Sequence, residues 1–327
     1  MSLVSDSDIA QAVEILRAGG LVAFPTETVY GLGADASNPA ALRRLFDAKG
    51  RPTSHPVIVH VRGAIDLPRW ASAVPSAAVR LTERFWPGPL TLVLKRAATV
   101  LDQITGGEDT VGLRAPAHPV AQHLLQAFGG GVAAPSANRF GRLSPTSAQH
   151  VRDDLGDAVD LVLDGGACAV GIESTIIDLS TGAPVLLRPG SIGAAEVEAA
   201  TGLPMEQRTS GSPRAPGTLA AHYAPRTPLI LAAPADLERV VREQSASGPI
   251  AVLAFHSRPR DSRATFWQVA PTEAQAYAHD LYALLRALDR SGCSQIVAEE
   301  PPFVAEWDAV RDRLTRASAG SRGGDDA

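Results

Sequence analysis

Lysine is almost missing from this chain. Of its 30 basic residues only Lys49 and Lys95 are lysines, and the other 28 are arginines. Arginine therefore serves nearly everywhere a cation is wanted, and Lys49 stands out as chosen for its own chemistry. Cysteine is just as scarce. Cys168 and Cys293 lie far apart and show no paired ligand spacing, which argues against a disulfide framework or a cysteine zinc site and for ordinary reduced thiols in a cytoplasmic protein. No segment approaches the roughly 18 apolar residues that suggest a membrane span. The amino terminus carries Asp6 and Asp8 where an export signal would carry basic residues, and it has no apolar signal core or cleavage site, so no export is expected. The net charge of −5 leaves no general basic footprint for nucleic acid, and no stripe of cations and aromatics is present. No Gly-x-x-x-x-Gly-Lys-Ser/Thr loop occurs, so any ATP site must be built another way.

What remains is a chain of 327 residues, 45% hydrophobic and 20% charged, large enough for two globular domains. Ser7–Arg17 reads as a helix closed by Gly19-Gly20, and Leu21–Phe24 as a buried strand stopped by Pro25. Asn38-Pro39 supplies an N-cap and first helical residue, Leu42, Leu45 and Phe46 form one face, and Lys49-Gly50 falls at the helix end. Apolar, often β-branched runs at Val57–Val61, Leu90–Leu94, Val111–Leu113, Gly131–Ala134, Leu161–Leu163, Thr175–Leu179 and Val185–Leu187 alternate with helical or turn-rich stretches, giving an α/β domain over residues 1–205. Residues 206–228 are rich in Ser, Gly, Pro and Arg and lack periodicity, so they read as a linker. Beyond it, strands at Leu229–Leu231, Ile250–Leu253 and Gln295–Ala298 and helices near Asp236–Gln244 and Glu273–Arg290 predict a small parallel-sheet domain over 229–317, with 318–327 as a disordered tail.

The chemistry concentrates at predicted strand ends. Phe24-Pro25-Thr26-Glu27-Thr28-Val29-Tyr30-Gly31-Leu32-Gly33 opens like a buried strand and then crowds polar residues and glycines together. Lys49-Gly50-Arg51-Pro52, His55 and His60, Thr110 to Pro116, Ala134-Pro135-Ser136-Ala137-Asn138, Ser144-Pro145-Thr146, Glu173-Ser174-Thr175, Arg188-Pro189-Gly190 and His222-Tyr223-Ala224-Pro225 follow. Loops after the strands of an open α/β sheet converge on one edge, so a single composite site is plausible. Lys49, Arg51, Arg114 and Arg188 can neutralise a small carboxylate next to a triphosphate, Ser and Asn groups add directed hydrogen bonds, and Gly31, Gly33 and Gly112 permit close approach of backbone N–H groups. Taken singly each is weak: Arg114 or Arg188 alone reads as well as a surface ion pair, the Ser-Ala-Asn run as a turn, and His60 as a strand histidine satisfied by backbone.

Taken together, and in this order, the Pro-Thr-Glu-Thr-Val-Tyr-Gly-Leu-Gly segment, Lys-Gly-Arg-Pro, Ser-Ala-Asn and the His-Tyr-Ala-Pro linker resemble the Sua5/YrdC/YwlC family over essentially the whole chain. The resemblance implies a YrdC-like twisted mixed-sheet catalytic domain plus a smaller Rossmann-like α/β Sua5 C-terminal domain. It implies a nucleotidyltransferase reaction in which L-threonine, bicarbonate and ATP give threonylcarbamoyl-AMP, diphosphate and water, for modification of position 37 in tRNAs that read ANN codons. By motif, Thr28, His60, Arg114, the Ala134 backbone and Ser174 would bind threonine, with Arg114 on its carboxylate. Arg51, His55, Thr110, Ser136, Ser144, Arg188 and Tyr223 would contact the nucleotide, and Lys49, Arg51, Ser136 and Asn138 would form the family's tetrad, Lys49 leading in phosphate neutralisation. Tyr223 would act from a lid, although Ala221 stands where many relatives carry a basic residue. Mg2+ is expected with ATP, held by phosphates and water without protein ligands. A downstream tRNA threonylcarbamoyl transferase complex is the implied partner, with weak tRNA or double-stranded RNA contact and no membrane. An RNA-binding module without catalysis is the alternative class. A carbamoyltransferase of hydrogenase maturation is a second alternative, but it should bring the paired-cysteine zinc fingers missing here.

Overall fold

The computed structural model describes residues 4–206 and 208–322. Two compact units result. One runs to Phe140 and resumes over Ser144–Thr218, and the other comprises Gly141–Leu143 and the described chain from Leu219 onward. In chain order the first unit contains α1 (Asp6–Arg17), β1 (Val22–Phe24), β2 (Gly31–Asp35), α2 (Pro39–Lys49), β3 (Ile58–His60), α3 (Leu67–Trp70), α4 (Ser76–Phe85), β4 (Leu90–Lys95), α5 (Asp102–Thr105), β5 (Thr110–Arg114), α6 (Pro119–Phe128), β6 (Val132–Ala133), α7 (Ala148–Leu155), β7 (Leu161–Val162), β8 (Thr175–Asp178), β9 (Val185–Arg188) and α8 (Ala194–Thr201). The second contains β10 (Leu229–Ala232), α9 (Leu237–Gln244), β11 (Ile250–Ala254), β12 (Phe266–Val269), α10 (Ala274–Asp289), β13 (Gln295–Glu299) and α11 (Asp308–Arg322).

Local chemistry sets the helix ends. Ser5 caps α1 by accepting from the Asp8 amide while the Asp8 carboxylate accepts from the Ser5 amide at 2.8 Å, and Ile9, Ala12, Val13 and Leu16 then fall on one buried stripe. Asn38 caps α2 by accepting from Ala40 N at 2.9 Å, Pro39 takes the first helical position, and Gly50 ends the helix in the left-handed region at φ 62°. Lys49 and Arg51 therefore leave α2 on either side of a fixed reversal.

The first unit is built on a nine-stranded sheet in the order β7-β1-β2-β6-β3-β5-β4-β8-β9. It is mixed: β1 with β7, β3 with β5 and β4 with β8 run parallel, and the other neighbours are antiparallel. The period-2 alternation divides its core. Val22, Phe24, Val132 and Ala134 pack with the buried faces of α1 and α6, whereas Leu21, Ala23, Leu32 and Ala133 join the larger core with α2, α4 and α7. Phe24, fully buried, contributes about 1.5–3 kcal/mol by its removal from water. Strand β2 lay hidden within the polar motif. Its Gly31 and Gly33 pair with Phe24 and Val22 of β1, and a Cβ on Gly33 would stand 2.9 Å from both the Phe24 ring and Val132 Cγ1. Gly33 is thus required for packing.

The second unit has a four-stranded, wholly parallel sheet in the order β10-β13-β11-β12, as a Rossmann-like arrangement requires. Edge strand β12 carries exposed Phe266 and Val269 and reads poorly as a strand from sequence. The unit takes in the Gly141–Leu143 segment: Ala224 N donates to Gly141 O and Arg286 donates to Leu143 O, both at 2.8 Å. The non-periodic 206–228 stretch is shared between the units. Glu206 bridges to Val185 and Arg188 donates to Pro216 O in the first, while Thr227 N donates to Asp289 at 2.7 Å in the second. The disordered tail expected from Ser318 is corrected in part. Buried Ala317 and Ser318 keep α11 helical through Arg322, and 323–327 lie outside the described residues. No helix among the described residues is long and apolar enough to cross a membrane.

Candidate active site

Sheet register assembles the site. In β3 and β5, Ile58 stands opposite Gly112 and His60 opposite Arg114, and Lys95 of antiparallel β4 stands opposite Thr110. Because side chains alternate, Thr110, Gly112 and Arg114 share one face, and Ile58 and His60 lie beside them. A Cβ on Gly112 would meet Ile58 Cγ1 at 3.5 Å and Thr91 Cγ2 at 3.7 Å, so Thr91 lies on that face too. Thr110 and Arg114 are four residue steps apart along the strand, about 13 Å. Between them the floor has no side chain. The site therefore runs along a sheet face rather than gathering at one edge, because a mixed sheet sends its strand ends in both directions.

At the Arg114 end the guanidinium is 4% exposed and fully engaged on one side. Its Nη2 donates to Glu27 Oε1 at 2.6 Å, Nη1 to Thr28 Oγ1 at 2.8 Å and Nε to Gly88 O at 3.2 Å. The second Glu27 oxygen accepts from Ala117 N at 2.9 Å. Thr26 Oγ1 accepts from the amides of Thr28 and Val29 at 3.2 Å and donates to Val29 O, a tight turn that holds Glu27 and Thr28 toward Arg114. His60, 3% exposed, meets Phe24 edge-on with ring centroids 5.9 Å apart, and its Nδ1 has no hydrogen-bond partner among the described residues. Burial, with the Arg114 charge beside it, pushes the His60 pKa down to about 3. The ring is neutral at pH 7 and too weak a base to take a proton from an amine. Ala134, directly after β6, commits its N–H to Ile58 O at 3.0 Å.

Next along the row, Thr91 Oγ1 and Ser174 Oγ lie 2.8 Å apart. Arg188 clamps Ser174 from the other side, with Nε and Nη2 donating to its carbonyl at 3.1 and 2.9 Å and Nη2 to its Oγ at 3.1 Å. Arg188, expected among the nucleotide contacts, thus shares a threonine-assigned serine. At the Thr110 end, Arg51 Nη2 donates to Pro56 O at 2.7 Å, and its guanidinium lies 5.3 Å from the Phe140 ring centroid, with the His55 ring 5.4 Å from the same ring. Burial, then Arg51 and Arg214, lower the His55 pKa. Lys49 is 2% exposed and donates to the carbonyls of Ser136 and Asn138, both at 2.5 Å. Burial and the neighbouring Arg51 hold its pKa well below the ordinary lysine value. Lys49 here braces the Ser136–Asn138 turn, whose Ser136 also bridges Gly31. Ser144 donates to Glu173 Oε1 at 2.5 Å.

Sequence reasoning missed Glu27, Thr91, Phe140 and Glu173 as members of this site. Glu27 and Glu173 stood inside quoted motifs, whereas nothing local marks Thr91 or Phe140. Tyr223 belongs to the second unit, where it is buried at φ 60° with its ring 4.2 Å from His222, 5.9 Å from Tyr282 and 5.2 Å from the Arg313 guanidinium. Cys168 and Cys293 are free and buried, and burial raises the Cys168 pKa to about 12. Among the described residues no group of three or more His, Cys, Asp or Glu side chains could hold a metal ion.

Fold and site define the class first: a two-domain α/β protein whose larger domain sets buried cations along one sheet face. Family models agree on both domains. One described as telomere recombination (Sua5_yciO_yrdC) matches residues 14–190, and one described as threonylcarbamoyl-AMP synthase, C-terminal domain, matches 192–319. A threonylcarbamoyl-AMP synthase of Pyrococcus abyssi is 39% identical, with 96% of this chain and 95% of that one covered. One of Bacillus subtilis is 38% identical, with 97% and 94% covered. The crystal structure of P. abyssi Sua5 complexed with L-threonine superposes with a TM-score of 0.90 at 38% identity, covering 97% of this chain and 96% of that one. The chain belongs to the Sua5/YrdC/YwlC family, in the long form with a C-terminal domain.

Proposed function

We infer that the chain makes threonylcarbamoyl-AMP from L-threonine, bicarbonate and ATP, releasing diphosphate and water, for formation of N6-threonylcarbamoyladenosine at position 37 of tRNAs that read ANN codons. The observation that carries this reading is the glycine-floored strip with Arg114 and His60 at one end and Arg51 and Lys49 at the other. Threonine lies at the Arg114 end, its carboxylate on the guanidinium. His60, kept neutral, does not repel the ammonium group and offers Nδ1 to it once deprotonated. Threonine nitrogen captures the carboxyl unit of bicarbonate as a carbamate with loss of water. A carbamate oxygen then attacks the α-phosphorus of ATP, and the bond to diphosphate breaks with its electrons leaving on the departing oxygen. Negative charge grows on that group, and Arg51, with Lys49 behind it, stabilises it in a site largely closed to water. No covalent enzyme intermediate is needed, since positioning and charge are the main demands. Ser136, Asn138, Thr110, His55 and Ser144 line the nucleotide portion. Mg2+ brought with ATP would be held by phosphate and water and would supply further charge neutralisation. The product passes to a tRNA threonylcarbamoyl transferase complex in the cytoplasm, and contact with tRNA or other double-stranded RNA is weak.

The test is diphosphate release from ATP by the purified chain, with threonine and bicarbonate omitted in turn and serine offered as a competitor. Release is expected only with both substrates. Release without threonine, or none from folded protein that still binds RNA, overturns the reading.

A further inference from the structure

Among the described residues Glu27 is the one buried acid within hydrogen-bond distance of Arg114, and the mechanism above does not use it. Its carboxylate is 2.6 Å from Arg114 Nη2 and its second oxygen takes the Ala117 amide at 2.9 Å, with both side chains nearly closed to water. The Glu27 backbone is held as well: its carbonyl accepts from Val170 N at 2.7 Å. Three anchors, two on the side chain and one on the main chain, leave the carboxylate little freedom to turn.

We propose that Glu27 is a positioning residue for the threonine reaction, setting the plane of Arg114 and tempering its charge so that the guanidinium selects a substrate carboxylate. The inference rests on the proposed function. Arg114 is pinned through three nitrogens by Gly88 O, Thr28 Oγ1 and Glu27 Oε1, which leaves one N–H on each terminal nitrogen for a ligand. A guanidinium so fixed loses little rotamer freedom when it meets a carboxylate, and the pairing is directional. Without Glu27 the charge would be buried and uncompensated, and Arg114 could turn toward other acceptors. Glu27 touches neither reacting centre and acts through Arg114.

Glu27→Gln tests this. An amide can accept from Arg114 or from Ala117 N, but its NH2 then faces a second donor, so one anchor is lost. Steady-state diphosphate release gives KM for L-threonine and for ATP, with L-threonine amide, which lacks the carboxylate charge, as competitor. Expected is a rise in the threonine KM of roughly tenfold or more, a change in the ATP KM of at most about twofold, and a narrowed preference for threonine over its amide by about the same factor as the threonine KM. Glu27→Asp keeps the charge with one methylene less reach. It should fall between the two, and it carries the test if the glutamine variant does not fold. Parallel rises in both KM values, or an unchanged preference over the amide, would make Glu27 a structural brace and overturn the proposal. Wild-type protein that releases no diphosphate with threonine present overturns the functional reading itself, and this inference with it.

Discussion

Arg51→Ala separates chemistry from folding more cleanly than any other change in the site. Arg51 is 8% exposed, and among its contacts the guanidinium donates a charged hydrogen bond to Pro56 O at 2.7 Å and stacks on Phe140 at 5.3 Å. Losing the first removes about 1.5 kcal/mol and losing the second about 0.5–1 kcal/mol. Relief of repulsion on Lys49, whose pKa Arg51 helps to depress, returns part of that. The net is about 2 kcal/mol, or a melting temperature lower by roughly 4–8 °C for a domain of this size. The activity loss should be far larger. A single preorganised cation or donor facing developing charge is worth about 3–4 kcal/mol in a site that excludes water, so turnover should fall by roughly 10²–10³. Diphosphate release at saturating threonine and bicarbonate, run beside a thermal melt, reads both quantities. Turnover within tenfold of wild type, despite the expected small loss of stability, would refute the assignment of Arg51 to the phosphate end.

Other expectations follow from the same geometry. The folded His60 ring takes a proton only near pH 3, whereas an unfolded one does so near 6.5. The unfolded state therefore binds more protons between those values, and this contribution to stability is present above pH 6.5 and is lost as pH falls toward 3. Urea unfolding at pH 6.5 and pH 4 should show His60→Asn losing less than wild type, by up to about 3 kcal/mol. Equal losses would contradict a neutral buried His60. Gly33→Ala should lower stability by about 1–3 kcal/mol, since the new methyl would press on Phe24 and Val132 and approach Val22 O to 3.1 Å. An unchanged melting temperature would show that β1 and β2 can separate without loss.

Much of the molecule was legible in the residues alone. The capped helix from Asn38 to Gly50, the apolar strand runs and the parallel strands of the second unit follow from short-range rules: a side chain that caps, a glycine that reverses, a period of 2 or 3.6. The same rules failed where sequence and burial part company. Gly31–Asp35 lacks β-branched residues and becomes a strand only because Phe24 fills the space its glycines leave, and Phe266–Val269 is a strand because Ile250–Ala254 offers an edge.

The site divides in the same way. Its cations, its Ser-Ala-Asn turn and its Thr-Glu-Thr segment were decided by the sequence, because charge and hydrogen-bonding capacity are properties of single residues. Their partnerships were not. That Arg114 meets Glu27 across 87 positions, that Lys49 spends two donors on carbonyls near 137, and that Thr91 joins Ser174 are consequences of strand order in a mixed sheet. No local pattern encodes which distant strands become neighbours. Only tertiary structure could turn a set of cations into an ordered strip with Arg114 at one end and Arg51 at the other.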